Sequence, residues 1–304
     1  LKKTTIKDIA KAADVSIATV SYILNDVKTQ SISDETRVKV LKVAQQLKYV
    51  ANRSAQSLKI KKTGLMGILV FRDDVQTPGS ALKYAKTIYK LEELCSQLGY
   101  HVIFMQLDSA SSSYKVIMER NLDGVFLINA DREKFYAISN QFGFGIPVFV
   151  IDSYIEDSLF HKIMPNFEQS FAAAGKLLGQ APAFLVMDAY NNLELREVVK
   201  QQSGLDEDHI YVYENRDGMH AFLSQFAGKA GIVMNEFLAN VAWKTHQHLV
   251  ACCTSHCEEI LPDEMMKISY HLNDYTEVVN MMDSYINDAA YVKAEKFFLL
   301  TATS

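Results

Sequence analysis

No apolar run among the 304 residues approaches the ~20 needed to cross a bilayer. The longest, Gly64 to Phe71, has the length of one buried strand. Lys2 and Lys3 lead into polar and charged residues from Thr4 to Lys11 rather than an apolar core, so no secretory leader is expected and a cytoplasmic chain is. Cysteine is scarce: Cys95, Cys252, Cys253 and Cys257 are too few and too clustered for a disulfide framework, and reduced thiols fit the same compartment. His246, His248, Cys252, Cys253, His256 and Cys257 crowd together but lack the regular ligand spacing of a zinc site. Adjacent cysteines on a strand also point to opposite faces. There is no Gly-x-Ser-x-Gly nucleophile elbow and no phosphate-cradling Gly-x-x-x-x-Gly-Lys loop. The acidic pairs Asp73-Asp74 and Glu258-Glu259 are adjacent, which does not place two carboxylates across a bond. These absences argue against an enzyme and leave no cofactor and no metal to expect.

What is present is a division of charge. Residues 1–63 carry 13 Lys and Arg against 5 Asp and Glu, a net of +8. The remainder carries 18 against 31, a net of −13. A basic head on an acidic body suits a module that binds a polyanion, joined to one that avoids it. The length, about twice that of an ordinary single domain, allows two or more folding units.

The head has helical periodicity. Ile6, Ile9, Ala10 and Ala13 share a face behind a Thr5 N-cap. Ser16 can cap a second helix to Leu24, with Val15, Val20, Ile23 and Leu24 inward and Ile17, Ala18, Ser21, Tyr22 and Asn25 outward. Ser33-Asp34-Glu35-Thr36 opens a third helix, for which Val38, Leu41, Val43, Ala44 and Leu47 are the expected buried stripe. Two short helices on a tight turn, braced by a third, make either a helix-turn-helix or a generic three-helix bundle; periodicity alone leaves both open.

Residues Thr5 to Asn25, reading TIKDIAKAADVSIATVSYILN, together with Ser33-x-x-Thr-Arg37 and Tyr49 followed by Asn52-x-x-Ala55-x-x-Leu58, resemble the opening of the lactose-repressor/galactose-repressor (LacI/GalR) family over about sixty residues. The resemblance implies an N-terminal all-α helix-turn-helix head with Ser16 to Leu24 as the recognition helix in the major groove. Ser16 and Ser21 would then hold phosphates, Ile17, Ala18 and Tyr22 would face base edges, and Asn25 would complete the backbone clamp. Thr5 and Thr19 are further implied DNA contacts. Residues 51–63 would form a hinge helix in the minor groove, capped by Asn52, with Ala55 giving close approach, Gln56 on the DNA and Leu58 wedged into a base step. Two departures stand out. Tyr22 replaces the usual Arg and cannot pair bidentately with guanine. Ala51 replaces the usual Pro.

From residue 64 onward, apolar strand candidates alternate with helical segments: Leu65–Phe71, a helix from about Ser80 to Leu98, then Gly99–Met105, Gly124–Ile128, Val148–Ile151, Ala183–Met187, His209–Tyr213, Gly231–Met234 and Leu249–Cys253. That alternation means parallel sheets covered on both faces, and the length implies two doubly wound lobes. Ligands in such folds sit beyond the carboxyl ends of the strands, where Asp73, Asn129, Asp152 and Asn235 stand. The body resembles the same family more weakly, which implies the periplasmic-binding-protein-like type I fold and adds Phe71, Arg196 and Asn273 as effector contacts. Thr254 stands where the family's strand normally ends in Asp, which puts the usual sugar ligand in doubt.

The expected organisation is a DNA-binding domain at 1–50, a hinge at 51–63 and an effector-binding and dimerisation domain at 64–304. The near lobe would take about 64–162 plus 275–289, and the distal lobe about 163–272 plus 290–304. The expected function is a homodimeric transcription regulator, a repressor, reading a near-palindromic double-stranded operator under control of a small-molecule effector such as a sugar or a derivative, with no membrane partner. One alternative keeps the DNA module but has the body answer to a partner protein. Another, from a different class, is a solute-binding protein or an enzyme.

Overall fold

The computed structural model describes residues 5–24, 32–47, 62–107, 121–140, 142, 145–288 and 290–304. In the head, α1 (Ile6–Ala13) begins with a reciprocal capping box, in which Asp8 N donates to Thr5 Oγ1 and Thr5 N donates to Asp8 Oδ2. It ends on Asp14 in the left-handed region. Helix α2 (Ile17–Leu24) follows at once, its first turn held by Thr19 N donating to Ser16 Oγ at 3.0 Å. Thr36 N donating to Ser33 Oγ starts α3 (Asp34–Gln46) in the same way. Ile9, Ala10, Ala13, Val20, Ile23, Val40 and Ala44 form the head's small core. The stripe expected on α3 is corrected in part: Ala44 is in the core and Val43 and Leu47 pack against it, but Val38 and Leu41 are 50% and 46% exposed and Val40 takes the inward position. Val40, Val43, Ala44 and Leu47 share the inward face at helical spacing, and Val38 and Leu41 fall at its outer side.

The body holds two six-stranded sheets. In the near lobe the order is β11 (Phe297–Leu300), β5 (His161–Pro165), β4 (Val148–Ile151), β3 (Gly124–Ile128), β1 (Leu65–Phe71), β2 (His101–Leu107), all parallel. The distal order is β12 (Ala302–Thr303), β10 (Met266–Tyr270), β9 (Leu249–Cys253), β8 (Gly231–Met234), β6 (Leu185–Met187), β7 (Ile210–Val212). Among the described residues only the short pairing of β10 with β12 is antiparallel. Both faces of each sheet are covered, as parallel connectivity demands. On β1, Ile68 and Val70 join one core while Leu69 and Phe71 join the other. Cys252 and Cys253 on β9 likewise enter different cores. Helices α4 (Ala85–Gln97), α5 (Arg132–Ser139) and α10 (Tyr275–Asn287) belong to the near lobe. Those of the distal lobe are α6 (Phe167–Leu178), α7 (Leu193–Ser203), α8 (Arg216–Gln225) and α9 (Glu236–Ala242).

Three chain crossings join the lobes and are hydrogen-bonded to each other: Asn166 N donates to Leu300 O at 3.1 Å, and Thr301 N to Asp274 Oδ2 at 2.7 Å. Two expectations are corrected here. Residues 297–300 pair with β5 in the near sheet, and only 302–303 reach the distal one, because the chain crosses at Thr301. The helix expected from Ser80 starts only at Ala85. The segment before it is a series of turns around Gly79, whose φ of +77° no helix accepts.

Candidate functional site

Strand register brings the cleft residues together. Val70, Ile128, Ile151 and Ile163 stand level across the near sheet, so the residues after β1, β3 and β4 emerge at one edge. Asn129 and Asp152 turn out of the sheet with φ of +61° and +50°, a conformation Asn and Asp tolerate better than most residues. Asn129 Nδ2 donates to Phe71 O and, at 2.8 Å, to Asp73 Oδ1. In the distal sheet β6 and β8 end side by side, and Asn235 (φ +76°) donates from Nδ2 to Asp188 Oδ2 at 2.9 Å. The two edges face each other across the cleft.

A cation lies between them. Lys83 Nζ is 3.1 Å from Asp188 Oδ2 and 3.4 Å from Asp73 Oδ1, with the lysine side chain 2% exposed. It also lies 4.7 Å from the Tyr190 ring centre and 5.2 Å from that of Tyr84. Burial would strip the ammonium of its proton, but Asp188, Asp73 and Asp152 together raise its pKa. Asp152 is pushed up to about 6 by burial, which outweighs the pull of Lys83. Lys83 belongs to the strap Thr77–Tyr84, which reaches from the near lobe to the distal one. At Gly79 the strap lies so close on the Phe237 ring of α9 that any side chain at 79 would run into it. Asn191 and Asn192, just after β6, complete the closure. Asn191 Nδ2 donates to Arg72 O at 2.8 Å, and Asn192 Oδ1 accepts from Tyr154 N at 3.1 Å. At the rim, Lys86 pairs with Glu259 at 2.6 Å.

The head lies on the near lobe with α2 turned inward. Ile17 N donates to Asn140 Oδ1 at 3.2 Å, and Thr19 Oγ1 to Asp157 Oδ2 at 3.3 Å. The Ser16 hydroxyl lies 2.8 Å from Thr19 Oγ1, beside that contact. Ala18 and Tyr22 pack on the near-lobe core that contains Phe135, and burial raises the Tyr22 hydroxyl's pKa. Ser16, Thr19 and Ser21 are buried, while Thr5 stays exposed at its cap. The seam is loosely filled: a cavity of about 420 Å³ remains between Lys7, Lys11 and Ile17 on the head and Tyr136 and Asn140 on the lobe. With α2 in this position a DNA groove cannot reach it. The expected contacts Asn25, Asn52, Ala55, Gln56 and Leu58 lie outside the described residues.

Of the expected effector contacts, Asp73, Asn129, Asp152 and Asn235 converge, and Phe71 lies under them in the core. Arg196 donates from Nε to Tyr190 O, beside the cage rather than in it. Asn273 is exposed near a lobe crossing. Sequence reasoning missed Lys83, Asp188, Tyr84, Tyr190, Asn191 and Asn192. Asp188 follows strand β6 as Asp152 follows β4, so the rule that selected Asp152 would have found it. Lys83 gave no such signal, since it falls inside the stretch where a helix is expected from about Ser80.

Residues 5–52 match the family model described as bacterial regulatory proteins, lacI family. The chain is 30% identical over 179 residues to the HTH-type transcriptional repressor PurR of Vibrio campbellii, covering 57% of this chain and 51% of that protein. It is 28% identical over 166 residues to the ribose operon repressor of Haemophilus influenzae, covering 53% and 47%. The chain thus spans about half the length of the curated relatives it matches. Among solved structures, the lac repressor dimer bound to operator and the anti-inducer ONPF aligns over 100% of this chain and 98% of its own, with TM-score 0.60 and 15% identity. The transcriptional regulator CelR–cellobiose complex aligns over 99% of both, with TM-score 0.61 and 14% identity. These likenesses establish the fold: a helical head on two parallel-sheet α/β lobes. Among the described residues no helix is long and apolar enough to cross a membrane.

Proposed function

We propose, for a chain whose head belongs to the lacI family of bacterial regulatory proteins, that it is a sequence-specific DNA-binding transcription regulator, a repressor in mode, working in the cytoplasm. The observation that carries the reading is the head itself: a capped helix-turn-helix with its own core, basic in sequence, joined to an acidic two-lobed body. The reading includes no catalytic step. Two copies would read a near-palindromic site, since a two-fold protein mirrors a two-fold duplex. The exposed apolar side chains Tyr89, Leu98 and Phe104, on and beside α4 and the edge strand β2, offer a surface on which a second copy could pack.

The docked head corresponds to a DNA-free state. Asp157 takes the hydroxyl of Thr19, so the body's carboxylate occupies a donor that a DNA phosphate would otherwise use. Reading DNA requires release of α2, and an effector acts by changing how the near lobe holds it. One observation favours the second reading, in which the body answers to a protein: the cleft is closed by the chain's own Lys83. Selecting bound duplex from a random pool tests the main proposal. A palindromic consensus, lost in Ile17→Ala and Tyr22→Ala, is the expected outcome; no preference over competitor DNA at moderate salt would reject it.

A further inference from the structure

We propose that the interlobe cleft is an alkylammonium site, filled in this structure by Lys83, and that the regulator's effector is a small primary amine that displaces that side chain. The inference rests on the reading of the body as effector-responsive and names the chemical class of ligand. A cation held by carboxylates and flanked by aromatic faces is how proteins recognise ammonium groups. All three elements are here: Asp73 and Asp188 at ion-pair distance, Asp152 beside them, and the Tyr84 and Tyr190 rings within 5.2 Å of Nζ.

The charge is unbalanced. Three carboxylates face one ammonium in a dry cleft; burial raises the Asp152 pKa, and Asp188 and Asp73 add to that rise. A neutral polyol would leave those charges unmatched. Among the described residues no three acidic, His or Cys groups are placed to hold a metal ion, so the chemistry favours an organic cation. The hydroxyl of Tyr190, a residue 1% exposed, has no hydrogen-bond partner among the described residues. A bound amine with a second polar group could satisfy it.

Lys83 is a removable occupant. It comes from the strap Thr77–Tyr84, not from a strand or helix, and the strap bridges the lobes at Gly79 against Phe237. Displacing Lys83 would free the strap and alter lobe closure, which gives the amine the differential affinity for two states that any effector needs.

The test uses the full chain, calorimetry and thermal shift, with n-butylammonium and 1,4-diaminobutane as probes and butan-1-ol as the neutral control. In Lys83→Ala the competing side chain is gone. Butylammonium should bind that variant at least tenfold more tightly than the wild type and restore its thermal midpoint, while butanol does neither. Asp188→Asn should weaken diaminobutane binding to the wild type at least tenfold. If Lys83→Ala does not fold, the wild-type and Asp188→Asn titrations decide alone. Absence of amine binding at about 10 mM, well above a millimolar Kd, overturns the proposal, as does equal binding of butanol. The same samples are assayed on the selected duplex. Duplex preference without amine binding sinks the amine site and leaves the regulator standing; amine binding without duplex preference does the reverse.

Discussion

Because the recognition helix is held against the near lobe, weakening that contact should strengthen DNA binding, the opposite of what most changes beside a DNA-reading surface do. The perturbation is Asn140→Ala combined with Asp157→Asn. Asn140 accepts one neutral hydrogen bond from Ile17 N, worth ~1 kcal/mol. Asp157 accepts from the Thr19 hydroxyl, and exchanging the carboxylate for an amide forfeits the charge-assisted part, another ~1 kcal/mol. The Arg132–Asp14 pair, at 3.9 Å and more than half exposed, adds little. A loss of about 2 kcal/mol shifts docking roughly 30-fold. The apparent Kd rises as the competent fraction falls, so the double variant should bind the selected operator up to about 30-fold more tightly. The amide at 157 still accepts from Leu159 N, so the loop keeps its own bond. Removing a negative charge near DNA also helps binding unspecifically. Glu156→Gln, an exposed neighbour, therefore serves as the charge-matched control. Fluorescence anisotropy at one fixed salt concentration reads the outcome. A folded double variant whose affinity is unchanged, weaker, or no better than the Glu156→Gln control would refute the reasoning.

Four further outcomes follow from the body. His161 is pushed down to about 3 by burial and by Lys296, Lys162 and Lys293. The fold therefore keeps it neutral while the unfolded chain protonates near 6.5. Its contribution is present above pH 6.5 and is lost as pH falls toward 3, by about 2 kcal/mol at pH 5. Asp152 works in the opposite sense: raised to about 6, it stabilises below pH 3.8 and loses that contribution as pH rises through 6. Chemical denaturation at pH 7 and pH 5 should thus show a smaller acid loss in His161→Gln and a larger one in Asp152→Asn. Gly79→Ala puts a methyl into the Phe237 ring at a φ of +77°. It should lower the thermal midpoint and speed amide exchange over 77–84, at a cost of at least ~1 kcal/mol; unchanged exchange would mean the strap is not held there. All four thiols are buried, with Cys95 and Cys252 raised to about 12, so a thiol reagent at neutral pH should label none before unfolding. Asn192→Ala, which frees Tyr154 N, should reduce an effector's influence on operator affinity more than it changes affinity without effector.

The architecture was legible wherever burial follows from side-chain chemistry. Leu65–Phe71, Gly124–Ile128, Val148–Ile151 and Leu249–Cys253 are apolar throughout because strands covered on both faces have no wet side. Strand β5, His161–Pro165, escaped because it opens with His-Lys, a pair that reads as surface. In the fold the His161 ring bonds the Tyr285 hydroxyl, and Lys162 Nζ reaches Asp157 O. Lys83 escaped for the same reason. Lys83 is buried because carboxylates from separate strand ends meet it, and no local pattern encodes Asp73, Asp152 and Asp188 converging at one point. On the head the pattern located α2 and its capping serine, but which partner covers its outer face is set by tertiary contacts with Asn140 and Asp157, more than 120 residues away.

Those two missed features lie at opposite ends of one stretch of chain. Strand β4 ends at the cleft edge, and the parallel strand β5 must begin at the opposite edge, so residues 152–160 run back along the lobe. Such a crossover normally takes a helix; here it is irregular apart from its turns. Asp152 at its start faces Lys83, Tyr154 bonds the distal lobe's Asn192, and Asp157 holds the recognition helix. Four residues therefore separate Asp152, which faces Lys83 in the cleft, from Asp157, which holds the head. With no helix between them to absorb a displacement, any shift of Asp152 and Tyr154 on opening of the lobes would be carried along the chain to Asp157. A coupling of 1–3 kcal/mol, ordinary for effector-controlled proteins, matches the hydrogen bonds that Asp157 and Asn140 make to the head.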